Sequence, residues 1–200
     1  DAVVLESELF ATTARRQAPL PAGAVTATAF DLVSKGPIPA GVDTATLTLG
    51  LQARELSRLY TFELALPMTA RDRSVRRTFI SGIDGSAQYY AVNGPPVPPS
   101  DPAALVLSLH GASVEAAGQA RAYETKDWAY VVAPTNRRPF GFDWQDWGRL
   151  DALEVLAEAR RTLPVDPLQV YLTGHSMGGH GTWHLGVLHS DRFAVLGPSA

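Results

Sequence analysis

The chain reads LQVYLTGHSMGG from Leu168 to Gly179, and this stretch decides the fold. Its first six residues are typical of a strand, and the small residues that follow are typical of a sharp turn opening a helix. Gly174 and Gly178 flank Ser176, and glycine allows the close backbone approach that such a bend needs. The pattern G-x-S-x-G therefore predicts a nucleophile elbow, which would expose the hydroxyl of Ser176 and indicates acyl-transfer chemistry.

Strand and helix patterns alternate on both sides of this stretch. Apolar runs are typical of strands covered on both faces, and Asp84-Gly85 is a strong hairpin turn. The predicted strands are 78–80, 87–92, 104–109, 128–133, 168–173 and 193–196. The predicted helices are 114–126, 146–161 and 179–189. This order predicts an α/β fold, a parallel sheet with helices on both faces.

The first 77 residues have a different texture. Alternating, Thr- and Val-rich runs predict strands at 25–30, 45–51 and 59–66, and helical content is possible at 5–16. We therefore expect a small β-rich N-terminal module, residues 1–77, before an α/β domain at 78–200. Nothing in the module carries recognisable chemistry.

Composition excludes several classes of function. Of the 200 residues, 46% are hydrophobic and 18% charged, as in an ordinary soluble globular protein, and no apolar run is long enough for a membrane span. The net charge is −3, and the basic cluster at 71–77 is interpreted as a solvated connector, so no nucleic-acid partner is expected. With no cysteine, thiolate chemistry and cysteine-based zinc sites are excluded. No metal or other cofactor is expected.

A serine hydroxyl needs a base to take its proton and donors to stabilise the oxyanion. The elbow would supply one donor, the backbone N–H of Met177 at the start of a helix. The second donor should lie in the loop after the strand at 104–109, which reads His110-Gly111-Ala112-Ser113 (the oxyanion loop). Its natural donor is the N–H of Ala112. His110 is better interpreted as a structural residue of this loop than as a base, and it is also a candidate substrate contact.

The other titratable residues give no clear base or acid. Four histidines crowd the elbow and its helix, namely His175, His180, His184 and His189. His180 and His184 have the spacing of a helical zinc pair, but no third ligand is apparent and packing or surface roles are favoured. Asp84 is taken up by its turn and Asp151 sits on a helix, so neither is a persuasive triad acid.

The polar and aromatic loop at 135–144 follows a strand's carboxyl end, the side where parallel sheets build their sites. Two readings stay open for Arg137, Arg138 and Trp144. They contact substrate, or the loop packs on the protein's own surface.

Residues 78–200 resemble the α/β-hydrolase fold, in particular polyhydroxybutyrate-depolymerase-like, feruloyl-esterase-like and prolyl-oligopeptidase-like proteins. The matching segments are 109–111, 132–136, 166–179 and 191–200. The resemblance implies Ser176 as nucleophile, Ala112 and Met177 as oxyanion donors, and an ester, small or polymeric, as substrate. A peptidase is the alternative, although 77 residues without blade-length repeats are too few for the propeller of prolyl-oligopeptidase-like enzymes.

In this family the triad runs Ser, then Asp or Glu, then His, and the last two lie on loops after later strands. The chain reaches neither of these loops. We therefore expect the N-terminal portion of a serine hydrolase, inactive alone, whose remainder comes from a longer chain or a second chain. A hypothesis of another class is a binding protein on a hydrolase scaffold, with residues 1–77 as its working part.

Overall fold

The computed structural model describes residues 2–18, 21–52, 59–69 and 74–200. The chain divides into two compact units, Asp1–Thr69 and Ala70–Ala200. The boundary expected after residue 77 falls inside a strand, because Val75–Ile80 already pairs within the sheet of the second unit. Residues 71–73 of the basic cluster lie outside the described residues.

The first unit is built on a four-stranded antiparallel sheet of order β2-β1-β3-β4. Its strands are β1 (Ala2–Glu6), β2 (Thr13–Arg16), β3 (Thr44–Gln52) and β4 (Leu59–Pro67). The strands predicted at 45–51 and 59–66 are confirmed as β3 and β4. A small core of Leu5, Phe10, Ala45 and Leu47 lies against the sheet.

Two expectations for this unit are wrong. Helix at 5–16 is replaced by the β1–β2 pair, because alternation within β1 places Leu5 in the core, where it pairs with Leu49 of β3. The strand expected at 25–30 is irregular, and Val25 is 96% exposed. Alternation at 25–30 therefore has no buried face to support it.

The second unit is a six-stranded mixed sheet of order β10-β9-β7-β8-β6-β5. Its strands are β5 (Val75–Ile80), β6 (Ala87–Asn93), β7 (Ala103–Leu109), β8 (Ala129–Ala133), β9 (Val165–His175) and β10 (Val195–Ser199). The four strands from β10 to β8 run parallel, and the hairpin of β6 and β5 adds antiparallel strands at the edge. The helices are α1 (Ala116–Arg121), α2 (Asp146–Thr162) and α3 (Met177–Leu188).

Helices cover both faces of this sheet, as predicted. Neighbouring residues of a strand point to opposite faces. Ala91 of β6 packs with Ala116 of α1, whereas Val92 belongs to the main core with Val155 of α2 and Leu185 of α3. The α/β prediction is therefore confirmed, with α1 on one face and α2 and α3 on the other.

Helix α1 is shorter than the helix predicted at 114–126. The chain turns away after Ala122, whose N–H contacts the carbonyls of both Gly118 and Gln119. Beyond this point the chain bonds to the side chain of Asn93 in place of a further helical turn. The Asn93 amide donates to the carbonyl of Tyr123 and accepts a hydrogen bond from the hydroxyl of Thr125. No helix in the described ranges combines the length and apolar character needed to cross a membrane.

The packing of α2 makes a direct prediction for stability. Leu156 is 1% exposed and Leu150, on the same helix, is 38% exposed. Leu156→Ala should lower the free energy of unfolding by about 2–5 kcal/mol because it leaves a cavity against the sheet. Leu150→Ala is the matched control and should cost less than about 1 kcal/mol. Urea denaturation followed by circular dichroism measures both; equal costs would contradict the packing described here.

Candidate active site

Ser176 occupies a strained position between β9 and α3. Its backbone has φ 57° and ψ −120°, a conformation that costs energy for any residue with a side chain. The backbone is fixed on both sides, because the Ser176 N–H donates to the carbonyl of Ser199 at 2.9 Å and the Ser176 carbonyl accepts from the N–H of His180 at 3.1 Å. The side chain is exposed. The residues therefore adopt the elbow geometry predicted from their sequence.

The elbow glycines are required by close backbone contacts. A methyl group at Gly178 would lie 1.9 Å from the carbonyl oxygen of Leu109, and one at Gly174 would lie 2.3 Å from the carbonyl oxygen of Gly178. Both distances are far below van der Waals contact, and backbone atoms cannot rotate away as a side chain can. The end of β7 thus lies directly on the first turn of α3.

Gly178→Ala tests this contact. We expect a loss of at least about 2 kcal/mol in the free energy of unfolding, since the backbone of β7 or α3 must shift. Gly197→Ala is the matched control, because a methyl group there meets Thr173 Oγ1 at an ordinary 3.4 Å. Thermal unfolding of both variants measures the difference, and a Gly178→Ala protein as stable as Gly197→Ala would refute the contact.

The oxyanion loop lies beside Ser176. A methyl group at Gly111 would be 3.6 Å from the Cβ of Ser176, so the loop lies within contact range of the Ser176 side chain. The backbone N–H groups of Ala112 and Met177 form no hydrogen bond with any described residue. Two unpaired N–H groups next to an exposed hydroxyl can stabilise negative charge that develops on a carbonyl oxygen attacked at that hydroxyl.

His110, the first residue of this loop, is fully buried. Its Nδ1 lies 2.9 Å from the carbonyl oxygen of Gly111 and its Nε2 lies 3.2 Å from that of Thr135. The ring also meets Trp144 edge to face at a centroid distance of 4.9 Å. Burial lowers the pKa of His110. His110 therefore packs as a structural residue of the oxyanion loop, and its ring has no exposed surface to offer a substrate.

The loop between β8 and α2, residues 134–145, turns two of its three candidate residues, Trp144 and Arg137, inward. Trp144 has no exposed surface, and its Nε1–H donates to the carbonyl of His110 at 3.1 Å. Arg137 is 5% exposed. Both side chains therefore pack within the protein in this structure. The exposed residues of this loop are Arg138, Pro139, Phe140, Phe142 and Gln145.

Arg137 is surrounded by three carboxylates. Its guanidinium lies 3.0 Å from Asp84 Oδ2, 3.3 Å from Asp151 Oδ1 and 2.9 Å from Glu154 Oε2, and it also donates to the hydroxyl of Ser81. A guanidinium buried to this degree requires charged partners. This cluster (the Arg137 cluster) joins the β5–β6 turn to α2 and to the β8–α2 loop. Asp84 and Asp151 are thus engaged away from Ser176.

The carboxylates of the cluster respond differently to their surroundings. Hydrogen bonds from the hydroxyl and N–H of Ser86 lower the pKa of Asp84 to about 2, and the charge of Arg137 acts in the same direction. Burial raises the pKa of Asp151. Of Asp84 and Asp151, Asp84 is therefore the residue that stabilises the fold through its ionised form.

Acid should weaken the fold through Asp84. A carboxyl whose pKa falls on folding stabilises the native state above its unfolded pKa, and this contribution is lost as the pH falls through the folded pKa. Between about pH 4 and pH 2, the unfolding midpoint in urea should therefore drop more steeply for the wild type than for Asp84→Asn. Parallel curves would contradict the role given to Asp84.

The remaining histidines do not contact the Ser176 hydroxyl. His175 Nδ1 lies 3.4 Å from Ser199 Oγ, and His180 Nε2 lies 3.5 Å from Asp143 Oδ2. His184 stacks on His180 at 6.2 Å. Within the described ranges, no side chain forms a hydrogen bond with Ser176 Oγ, and no three metal-ligating side chains come together.

No protein-family model matches the chain, and no curated protein matches its sequence. Solved structures do match. The S-formylglutathione hydrolase FrmB of Staphylococcus aureus is 21% identical with a TM-score of 0.53, over 64% of this chain and 57% of that one. An S-formylglutathione hydrolase from Agrobacterium tumefaciens is 21% identical with a TM-score of 0.51, over 63% of this chain and 57% of that one.

The chain thus spans somewhat more than half the length of these structural relatives. At 21% identity the likeness shows the fold. The chain has the α/β-hydrolase fold, together with the separate antiparallel sheet of its first unit.

Proposed function

We propose that this chain carries the nucleophile of a serine hydrolase that cleaves carboxylic esters through an acyl-enzyme on Ser176. The observation that carries the proposal is an exposed serine, held at positive φ, beside two backbone N–H groups. No described residue accepts a hydrogen bond from either N–H group. A turn serine with a purely structural role would not need this arrangement. The fold shared with hydrolases supports the same reading.

In the proposed reaction Ser176 Oγ attacks the ester carbonyl carbon while a base takes the hydroxyl proton. The carbonyl oxygen becomes negatively charged and accepts hydrogen bonds from the N–H groups of Ala112 and Met177, and the N-terminal end of α3 favours the same charge. When the tetrahedral intermediate collapses, the alcohol leaves with the proton. Water then attacks the acyl-enzyme and releases the acid and Ser176.

The base and its orienting acid are proposed to lie outside these 200 residues, in a longer chain or a second chain. This is supported by the surroundings of Ser176, since His175, His180 and His110 are each engaged with other groups. Without a base, the oxyanion donors alone leave only a small part of the rate enhancement of such enzymes. Residues 1–200 alone should therefore be a very slow hydrolase.

A fluorophosphonate probe tests the nucleophile. The full-length protein should label covalently, and Ser176→Ala should abolish both labelling and ester hydrolysis, because the phosphorus atom bonds to the activated oxygen. Ser190→Ala removes another exposed serine outside the site and should label normally. Mass spectrometry of the labelled peptide identifies the residue. Labelling that survives in Ser176→Ala would refute the proposal.

A further inference from the structure

We propose that Arg138 and Trp144, on the β8–α2 loop, are positioning residues that aim the N–H of Ala112 at the oxyanion. The inference rests on the proposed function, since an aimed N–H matters only if Ser176 attacks a carbonyl. Sequence reasoning gave both residues as candidate substrate contacts. The structure assigns both a contact with the oxyanion loop.

Three successive carbonyls of the oxyanion loop face side-chain nitrogens. Trp144 Nε1–H donates to the His110 carbonyl at 3.1 Å, and Arg138 Nη2–H donates to the Ala112 carbonyl. The carbonyl of Gly111, the residue between them, lies 2.9 Å from His110 Nδ1 and accepts a hydrogen bond from the N–H of Val114 at 3.2 Å. Each of these three carbonyls thus accepts a hydrogen bond from a group outside its own peptide.

Held carbonyls fix the direction of the N–H groups. In a planar trans peptide, the C=O of one residue and the N–H of the next point in opposite directions. The Gly111 carbonyl is held towards His110 and Val114, so the N–H of Ala112 points away from them. Rotation of this peptide would break the contacts at Gly111. Trp144 and Arg138 hold the His110 and Ala112 carbonyls, which belong to the peptides on either side, and so keep in place the two Cα atoms that the Gly111–Ala112 peptide joins.

Trp144 ties this loop to the elbow helix. Its ring lies so close to α3 that a methyl group at Gly181 would be 2.5 Å from ring carbons. The same ring contacts His110 and donates to the His110 carbonyl. Trp144 therefore lies between the oxyanion loop, with the Ala112 donor, and the helix whose first residue, Met177, gives the other donor.

Arg138 is carried by a firmly held stretch of backbone. The residues before it, Asn136 and Arg137, have φ of 62° and 50°, and the Arg137 cluster holds the second of them by three carboxylates. Such backbone strain persists only where the surroundings impose it. Arg138 itself is exposed, so it can be replaced without opening the core.

The test is steady-state kinetics of full-length Arg138→Met, Arg138→Lys and Trp144→Phe. If the donors position Ala112, Arg138→Met should lower kcat on the order of tenfold with little change in KM, because a small displacement of a catalytic group acts on the transition state. The affinity for a trifluoromethyl ketone, whose adduct places an oxyanion in the hole, should fall by a similar factor. Arg138→Lys keeps a donor and should recover part of the loss.

Trp144→Phe removes the indole N–H and keeps an aromatic ring, and should reproduce the kcat effect; its melting temperature is measured beside it. The matched control is Arg160→Met. Arg160 is an exposed arginine near the end of α2, which leads to the amino end of β9, the edge of the sheet opposite the elbow. Arg160→Met should have wild-type kcat and inhibitor affinity.

Two outcomes overturn the inference while the proposed function stands. Wild-type kcat and ketone affinity in Arg138→Met would show that the contact positions nothing. A rise in KM alone, with kcat unchanged, would make Arg138 a substrate-binding residue instead. Absence of any Ser176-dependent turnover in the wild type would refute the proposed function itself, and the inference with it.

Discussion

The site depends on one steric constraint, the contact between the last carbonyl of β7 and the first turn of α3. Leu109 and Gly178 approach so closely that only a hydrogen atom fits between their backbones. This contact sets how far the oxyanion loop, which continues from Leu109, lies from Ser176, which precedes α3. Because both segments continue central parallel strands, the separation of Ser176 from the oxyanion loop is fixed by the sheet itself.

A second layer of structure sits behind that contact. The β8–α2 loop has several residues at positive φ that are not glycine, including Asn136, Arg137 and Trp144. The energy stored in such a backbone must be offset by the groups that hold it, here the Arg137 cluster and the buried Trp144. The strained residues of the β8–α2 loop thus pack against the oxyanion loop, and the apolar residues of α2 belong to the main core.

The elbow, the central strands and the α/β class could be predicted because each depends on a short run of residues. The glycines around Ser176 determine the turn in which they lie, and the apolar runs at β7 and β8 determine those two strands. The Arg137 cluster could not be predicted from the sequence. Asp84 is 53 residues from Arg137 along the chain, and nothing in the local pattern marks Asp84 and Arg137 as partners. Helix α1 was expected to be longer for a similar reason, because Asn93 in β6 determines where the chain turns away.

The sequence-based error at residues 5–16 has the same origin. A four-residue strand such as β2 carries little periodic signal, and its pairing with β1 is decided by where Leu5 is buried. By contrast, the exposure expected of an elbow serine follows from a local pattern, whereas the burial of Trp144 does not. Ser176 is exposed, while Trp144, which was considered for a surface role, fills space under the oxyanion loop.

Burial of Trp144 gives the protein an intrinsic optical probe of its own site. The chain has four tryptophans; Trp128, Trp147 and Trp183 are 54%, 40% and 60% exposed, and Trp144 alone is fully enclosed. An aqueous quencher such as acrylamide therefore reaches three indoles far more readily than the fourth. The fraction of emission that resists quenching reports the packing between the oxyanion loop and α3, separately from the integrity of the rest of the fold.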